Sequence, residues 1–175
     1  MKKLVAGTLL AASLFLVGCS SAPQKKADVI QYTAKEASLT YFKSTARMDL
    51  KTATLGFMPE GKVLGGDPSA EGKQFARVEV TITGTAEEPY YFNYTNFSLD
   101  TAKEKGVTQT FLINDSNAKD LFSSTSNKKL AKGESVTGAI YYEVDAKETL
   151  DTMSLNYKGY DEQGAEKLAT IALKK

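Results

Sequence analysis

The 175-residue sequence predicts an all-β domain built as an antiparallel β-sandwich, and three observations carry that expectation. Several segments alternate apolar and polar residues with a period of two. Clusters of Gly, Pro, Asp and Glu punctuate them at intervals that suit short strands. Two segments change the phase of their alternation partway along, as strands do when they bend or cross between the sheets of a sandwich.

The chain begins differently. Lys2 and Lys3 precede an apolar stretch from Leu4 to Val17 that holds no acid and no proline, which is the pattern of a secretory signal peptide over residues 1–18. A spanning helix needs about 20 apolar residues. Here the run stops at Gly18, and Ser20, Ser21, Pro23 and Gln24 that follow are polar or helix-breaking. Leu16-Val17-Gly18-Cys19 resembles the lipobox of bacterial lipoproteins, with Leu at the third position before the cysteine and a small residue just before it. The resemblance implies that Leu16, Val17 and Gly18 are read by the lipoprotein signal peptidase and that cleavage falls before Cys19. It also implies a diacylglyceryl thioether on Cys19, with further acylation by fatty acids such as palmitate on the new α-amino group. One acyl chain binds a membrane with a constant of only about 10⁴ M⁻¹, whereas two or three make a stable anchor. The expected location is therefore the extracytoplasmic face of the cell membrane, held by lipid. No second cysteine exists to pair with Cys19 within the chain, and no histidine exists to activate its thiol.

Residues 19–27 comprise the lipidated cysteine and a linker. Its "SSAPQKK" is polar, contains Pro23 and shows no apolar period. Removing Lys2 and Lys3 from the 22 basic residues leaves 20 against 21 acidic ones, a formal charge of −1. That balance argues against a nucleic-acid partner, which calls for a clustered basic excess. Residues 28–175 are long enough for one domain with its own core and no disulfide.

Within this domain, residues 28–41 fit either a strand or a short helix. Ala46, Met48 and Leu50 alternate cleanly, but Leu55 and Phe57 lie on the opposite parity. Ala76, Val78, Val80 and Ile82 share one face, with Arg77, Glu79 and Thr81 on the other, as in a strand with one wet side. In "PYYFNYTNFSL", Tyr90, Phe92 and Tyr94 share a parity that Phe97 and Leu99 break, so a β-bulge or bend is expected near Thr95 and Asn96. Val136, Gly138, Ile140, Tyr142 and Val144 form the inner face of the next clear strand, opposite Thr137, Tyr141 and Glu143. Met153, Leu155 and Tyr157, then Ala169, Ile171 and Leu173, repeat the pattern. Turns are expected at 59–62, 65–72, 85–89, 103–106, 131–134 and 161–164, and a long polar loop with a small apolar plug at 114–129.

Three blocks carry a family resemblance: "FARVEVTITGTAEEPYYF", "NFSLDTAKEKG" and "KLAKGESVTGAIYYEV". They look like the valine-rich strand and small-polar turn, the Phe-x-Leu strand with its Gly turn, and the Leu-x-x-Gly-Glu-x-x-x-Gly strand of DUF4352-type domains in bacterial lipoproteins. At Gly84-Thr85 the chain departs from the Asn-containing turn common in that family. The resemblance implies an immunoglobulin-like, telokin-like sandwich, and it brings no catalytic residues.

Sites for chemistry are few. Without histidine, a Ser-His-Asp triad, a Cys-His pair and a histidine zinc site are excluded. Glu87-Glu88 and Asp161-Glu162 are paired acids, but each pair lies in an expected turn beside solvent, and adjacency alone makes no acid and base. Asp115, Asn117 and Asp120 offer oxygen ligands on one loop, yet Lys119 intrudes and the spacing of a calcium loop is lacking, so no metal or other cofactor is expected. Tyr91 and Tyr141 are expected to point outward, where each either covers cross-strand neighbours or offers a partner-binding surface. The sequence thus leads to a non-enzymatic, lipid-anchored module that binds an unidentified protein or glycan. The alternative is a small-ligand-binding or envelope-maintenance lipoprotein.

Overall fold

Alternation along the chain decides which side of each strand is dry, and the strands assemble so that those sides meet. A computed structural model describes residues 27–57, 62–63, 72–110, 112–113 and 128–175. The expected signal segment, Cys19 and most of the expected linker lie outside the described residues, as do most of the turns expected at 59–62 and 65–72, and Asp115, Asn117 and Asp120. Eleven strands are described: β1 (Asp28–Tyr41), β2 (Ser44–Phe57), β3 (Lys62–Val63), β4 (Lys73–Gly84), β5 (Tyr90–Phe92), β6 (Phe97–Asp100), β7 (Leu112–Ile113), β8 (Lys128–Leu130), β9 (Ser135–Asp145), β10 (Ser154–Tyr160) and β11 (Glu166–Ala172). Besides them there are single 3-10 turns at Tyr94–Asn96 and Leu150–Thr152, and no α-helix among the described residues. None of these residues forms a helix long and apolar enough to cross a membrane.

The main sheet has seven strands in two halves. One half runs β1-β2-β4-β9, antiparallel throughout, and the other sets β6 and β11 on either side of β10. A single parallel bridge, Tyr41 to Tyr160, joins them at one corner. Gly159 makes this approach feasible, because a Cβ on it would lie 1.9 Å from the Thr40 carbonyl oxygen. Two short ribbons, β3–β7 and β5–β8, complete the β-structure.

Both halves feed one core. Ala76, Val78, Val80 and Ile82 of β4 are fully buried, and Ile140, Tyr142 and Val144 of β9 join them with Met153, Leu155, Tyr157, Ile171 and Leu173. Burying such side chains stabilises the fold by about 1.5–3 kcal/mol each. The phase changes have two structural causes. In β2 the register with β4 slips between Leu50 and Thr52, a bulge that lets Leu50 and Ala53 both face inward. Between β5 and β6 the switch is the 3-10 turn Tyr94–Asn96, in which the Asn93 side chain accepts from the Thr95 N–H at 2.9 Å.

Residues 28–41 are a strand along their whole length. Their alternation is obscured because β1 slips against β2 between Gln31 and Lys35. Ile30 and Leu39, which lie on opposite parities, are therefore both buried. At that irregularity Tyr32 donates its hydroxyl to the Leu173 carbonyl, and Lys35 Nζ donates to the carbonyls of Lys174 and, at 3.1 Å, Ala172. The N-terminal half of β1 thereby grips the C-terminus.

Candidate functional site

An open aromatic groove of about 310 Å³ sits at the tip of the β1–β2 hairpin. Three stretches far apart in sequence line it: Tyr41 to Ser44 of the hairpin, Glu88, Pro89 and Tyr91 at the entry to β5, and Glu162 of the β10–β11 turn.

The hairpin supplies the most unusual residue. Tyr41 pairs with Ser44, so Phe42 and Lys43 are the two turn residues. Phe42 has φ 55°, the only positive φ outside glycine among the described residues. The first position of so tight a turn is where glycine is favoured, since a side chain at positive φ crowds its own backbone. Even so Phe42 is 45% exposed. It meets Tyr41 edge-on at 5.0 Å between centroids and stacks on Tyr160 at 6.1 Å.

The second stretch is held to the first by Thr85, whose N–H donates to the Thr45 carbonyl at 3.0 Å and whose hydroxyl lies 2.8 Å from that of Thr45. Tyr91 follows on β5, between the core residues Tyr90 and Phe92, and is 45% exposed. The Lys129 ammonium lies over its ring, 5.4 Å from the centroid.

The acids divide in a consistent way. In each turn one acid is ion-paired: Glu87 with Lys132, and Asp161 with Lys167 at 3.2 Å. Backbone N–H donation, first from Ala165, and the neighbouring lysine hold the Asp161 carboxyl below its usual range. The acids that line the groove, Glu88 and Glu162, are exposed and form no ion pair among the described residues. Lys43 is the only basic residue of the lining among the described residues, and the Lys129 ammonium over Tyr91 stands beside it.

Tyr91 therefore stands at the surface, but Tyr141 does not. Tyr141 occupies the outer parity of β9, paired with Arg77, yet it is only 6% exposed. Thr110 donates to its backbone carbonyl at 2.7 Å on the edge of β9 away from β4, and the Arg77 guanidinium lies 3.4 Å from its hydroxyl. Outward parity became burial because other groups lie over that position, so Tyr141 is not part of an accessible surface. The sequence reading missed Phe42 altogether, since nothing in "TYFKST" announces a positive φ.

A second concavity, about 360 Å³, lies between β9 and the 101–107 turn. Its Glu148 carboxylate is 5% exposed and accepts from the Ala102 N–H at 3.2 Å, the Lys103 N–H at 3.1 Å and the Thr152 hydroxyl at 3.1 Å. Its lone pairs are spent on holding the turn. No cluster of three metal-ligating side chains occurs among the described residues.

Comparison with known proteins gives the family. The model of DUF4352, a domain of unknown function, matches residues 26–167. The chain belongs to the DUF4352 family. Solved structures share the fold of this DUF4352 domain at low identity. The yjhA protein from Bacillus subtilis superposes with a TM-score of 0.51 at 17% identity, over 73% of this chain and 81% of that one. A "putative lipoprotein" (ycdA) from Bacillus subtilis subsp. subtilis str. 168 gives a TM-score of 0.51 at 16% identity, over 81% of this chain and 40% of that one. No curated protein matches the DUF4352 chain in sequence.

Proposed function

We propose that this DUF4352 protein is a non-catalytic binding module, lipid-anchored through Cys19 on the extracytoplasmic face of the membrane, with the hairpin-tip groove as its binding site. The observation that carries the reading is Phe42: a large apolar residue kept 45% exposed, on a backbone of φ 55° that glycine would adopt without strain. The positive φ costs the fold stability and the exposed part of the residue buries nothing, whereas exposed aromatic area is what a binding surface uses.

The layout supports the same reading. The linker reaches the domain at Asp28, at one end of β1, and the groove lies beyond Tyr41 at the other. Fourteen extended residues span roughly 40 Å, so the groove is at the end of β1 remote from the one a Cys19 tether would enter, which supports a binding site kept clear of the bilayer. The lipobox resemblance of Leu16 to Cys19 and the lipoprotein name of one structural neighbour support the anchor. Glu88 and Glu162 share the groove, but both are exposed and no apolar enclosure sets them apart as acid and base, which favours binding over hydrolysis.

Two experiments test this. Cys19→Ser should abolish incorporation of labelled fatty acid, and normal labelling of that variant would remove the anchor. A photo-crosslinking residue at position 43 of the full chain should capture a partner in cells, and Phe42→Gly should suppress that capture. Undiminished capture by the folded Phe42→Gly protein would remove the groove from the function.

A further inference from the structure

We propose that the free edge of β11 pairs with β11 of a second copy of this chain, antiparallel about a two-fold axis at Leu168. This surface is separate from the groove.

The main sheet ends in three strands, and two of those ends are occupied. The Thr110 N–H donates to the Tyr141 carbonyl on the outer edge of β9, and Val107 exchanges two backbone bonds with Leu99 on the outer edge of β6. Among the described residues β11 pairs with β10 alone. Leu173 donates to Met153 and Asp161 to Ala165, so the odd-numbered residues of this hairpin bond inward, while Glu166, Leu168 and Thr170 turn their backbone groups outward. No backbone group of the described residues bonds to that outward row. Unpaired N–H and C=O groups in a row are a template for another strand.

The side chains leave the row accessible. Sheet edges are ordinarily blunted by a free charge, a proline or a bulge. Here Leu168 stands in the middle, 62% exposed, the most exposed large apolar residue among those described. The two charges beside it are already paired within the chain, Glu166 with Lys158 and Lys167 with Asp161.

Lys35 sets the register. Its ammonium donates to the Ala172 carbonyl at 3.1 Å and to that of Lys174, which closes the lower end of the edge. Residues 166–170 stay open, and Leu168 is their centre. The antiparallel register that uses this whole stretch therefore sets Leu168 against its own counterpart and Glu166 against Thr170 of the second copy. Three opposed pairs exchange two backbone bonds each. Leu168 covers its counterpart, and no like charges face each other, since Lys167 meets Ala169. Such a contact is isologous and closes at the dimer. A strand from an unrelated protein is recognised through pockets for its alternate side chains, and this edge offers Leu168 alone, which its own copy matches. The eight residues between Cys19 and Asp28 span up to roughly 30 Å, enough to anchor both copies in one bilayer with their strands lying along it.

The test is disulfide trapping in membranes that carry the full-length protein. Leu168→Cys places a thiol opposite its counterpart, at a Cα separation of about 5.5 Å that a disulfide can bridge. Thr170→Cys lies four residues out of register with its counterpart, more than about 13 Å away. On mild oxidation Leu168→Cys should give at least about tenfold more cross-linked dimer than Thr170→Cys or the parent, whose only cysteine is Cys19. Sedimentation of the full-length protein in detergent should show a dimer that Leu168→Lys weakens by at least about tenfold, because two like charges then face each other. Leu168 is exposed, so that variant keeps the fold, and thermal melts check it. A parent protein that stays monomeric at millimolar concentration, a dimer indifferent to Leu168→Lys, or equal trapping at 168 and 170 overturns the proposal. A photo-crosslinking residue at 168 that captures a different protein, with no trapping between copies, assigns the edge to a partner strand and overturns it as well. None of these outcomes bears on the groove, which is tested from position 43 and by Phe42→Gly.

Discussion

Phe42 donates its backbone N–H to the Tyr160 carbonyl at 2.7 Å and stacks its ring on that of Tyr160, the two planes 22° apart. One residue thus ties the hairpin tip to the strand that leads into the Glu162 turn, and it does so at φ 55°. Replacing it with glycine relieves about 1–2 kcal/mol of backbone crowding and forfeits ring contacts of about 0.5–1.5 kcal/mol each. Phe42→Gly should therefore unfold in denaturant within about 1 kcal/mol of the parent. A loss of several kcal/mol would show that the ring serves the fold.

Gly159 makes the opposite forecast. Its missing Cβ would meet the Thr40 oxygen at 1.9 Å, a backbone atom that cannot rotate away. Gly159→Ala should cost at least about 1–3 kcal/mol as overpacking. It should also part Tyr41 from Tyr160 and disturb the groove. Thermal melts measure the first effect, and crosslinking from position 43 the second. An unchanged melting temperature would mean that β1 and β10 are free to separate at that corner.

Tyr142 is fully buried, and its hydroxyl has no hydrogen-bond partner among the described residues. Burial pushes its pKa well up, so the group stays neutral. Removing an unsatisfied hydroxyl relieves its desolvation penalty, so Tyr142→Phe should be neutral or stabilising by up to about 1–3 kcal/mol. Clear destabilisation in chemical melts would reveal a partner for that oxygen, such as an internal water.

Glu148 sets a pH dependence. Burial raises its pKa, but donation from Thr101, from the Ala102 and Lys103 N–H groups and from Thr152 outweighs it and holds the carboxyl below its ordinary 4.5. A depressed folded pKa means stability that is complete above the unfolded value and lost as the pH falls through the folded one. Glu148→Gln should cost about 1–3 kcal/mol at neutral pH. The gap between parent and variant should narrow below pH 4.5, which denaturant melts over a pH series will follow. A gap independent of pH would mean that the charge of the carboxylate is immaterial.

Wherever one strand kept one phase, the faces were legible in the sequence: β4, β9 and β10 place their alternating apolar residues inward as the period requires. Legibility failed where two principles met. In β1 the irregularity between Gln31 and Lys35 put Ile30 and Leu39 on opposite parities, so the period was not visible. Tyr141 kept its parity but was covered by groups from elsewhere in the chain, which alternation cannot foresee. Each acidic turn read correctly as solvent-facing, yet the meeting of Glu88 and Glu162 depends on the Tyr41–Tyr160 bridge, a long-range contact with no local trace. Phe42 needed a dihedral angle that its sequence context does not encode.

The grip of Tyr32 and Lys35 on the last residues joins positions 141 and 139 apart in the chain. Closing so large a loop costs conformational entropy that no nearby contact refunds early. The β1–β2 hairpin and its neighbours β4 and β9 can form before that closure, but Ile171 and Leu173 reach the core only with it. Contacts this distant place the domain among slow folders, in the millisecond-to-second range typical of sheet proteins. The β10–β11 hairpin is local and can form without that closure, but until then Ile171 and Leu173 lack the β1 side of the core, and exposed apolar side chains of that kind invite association with another chain.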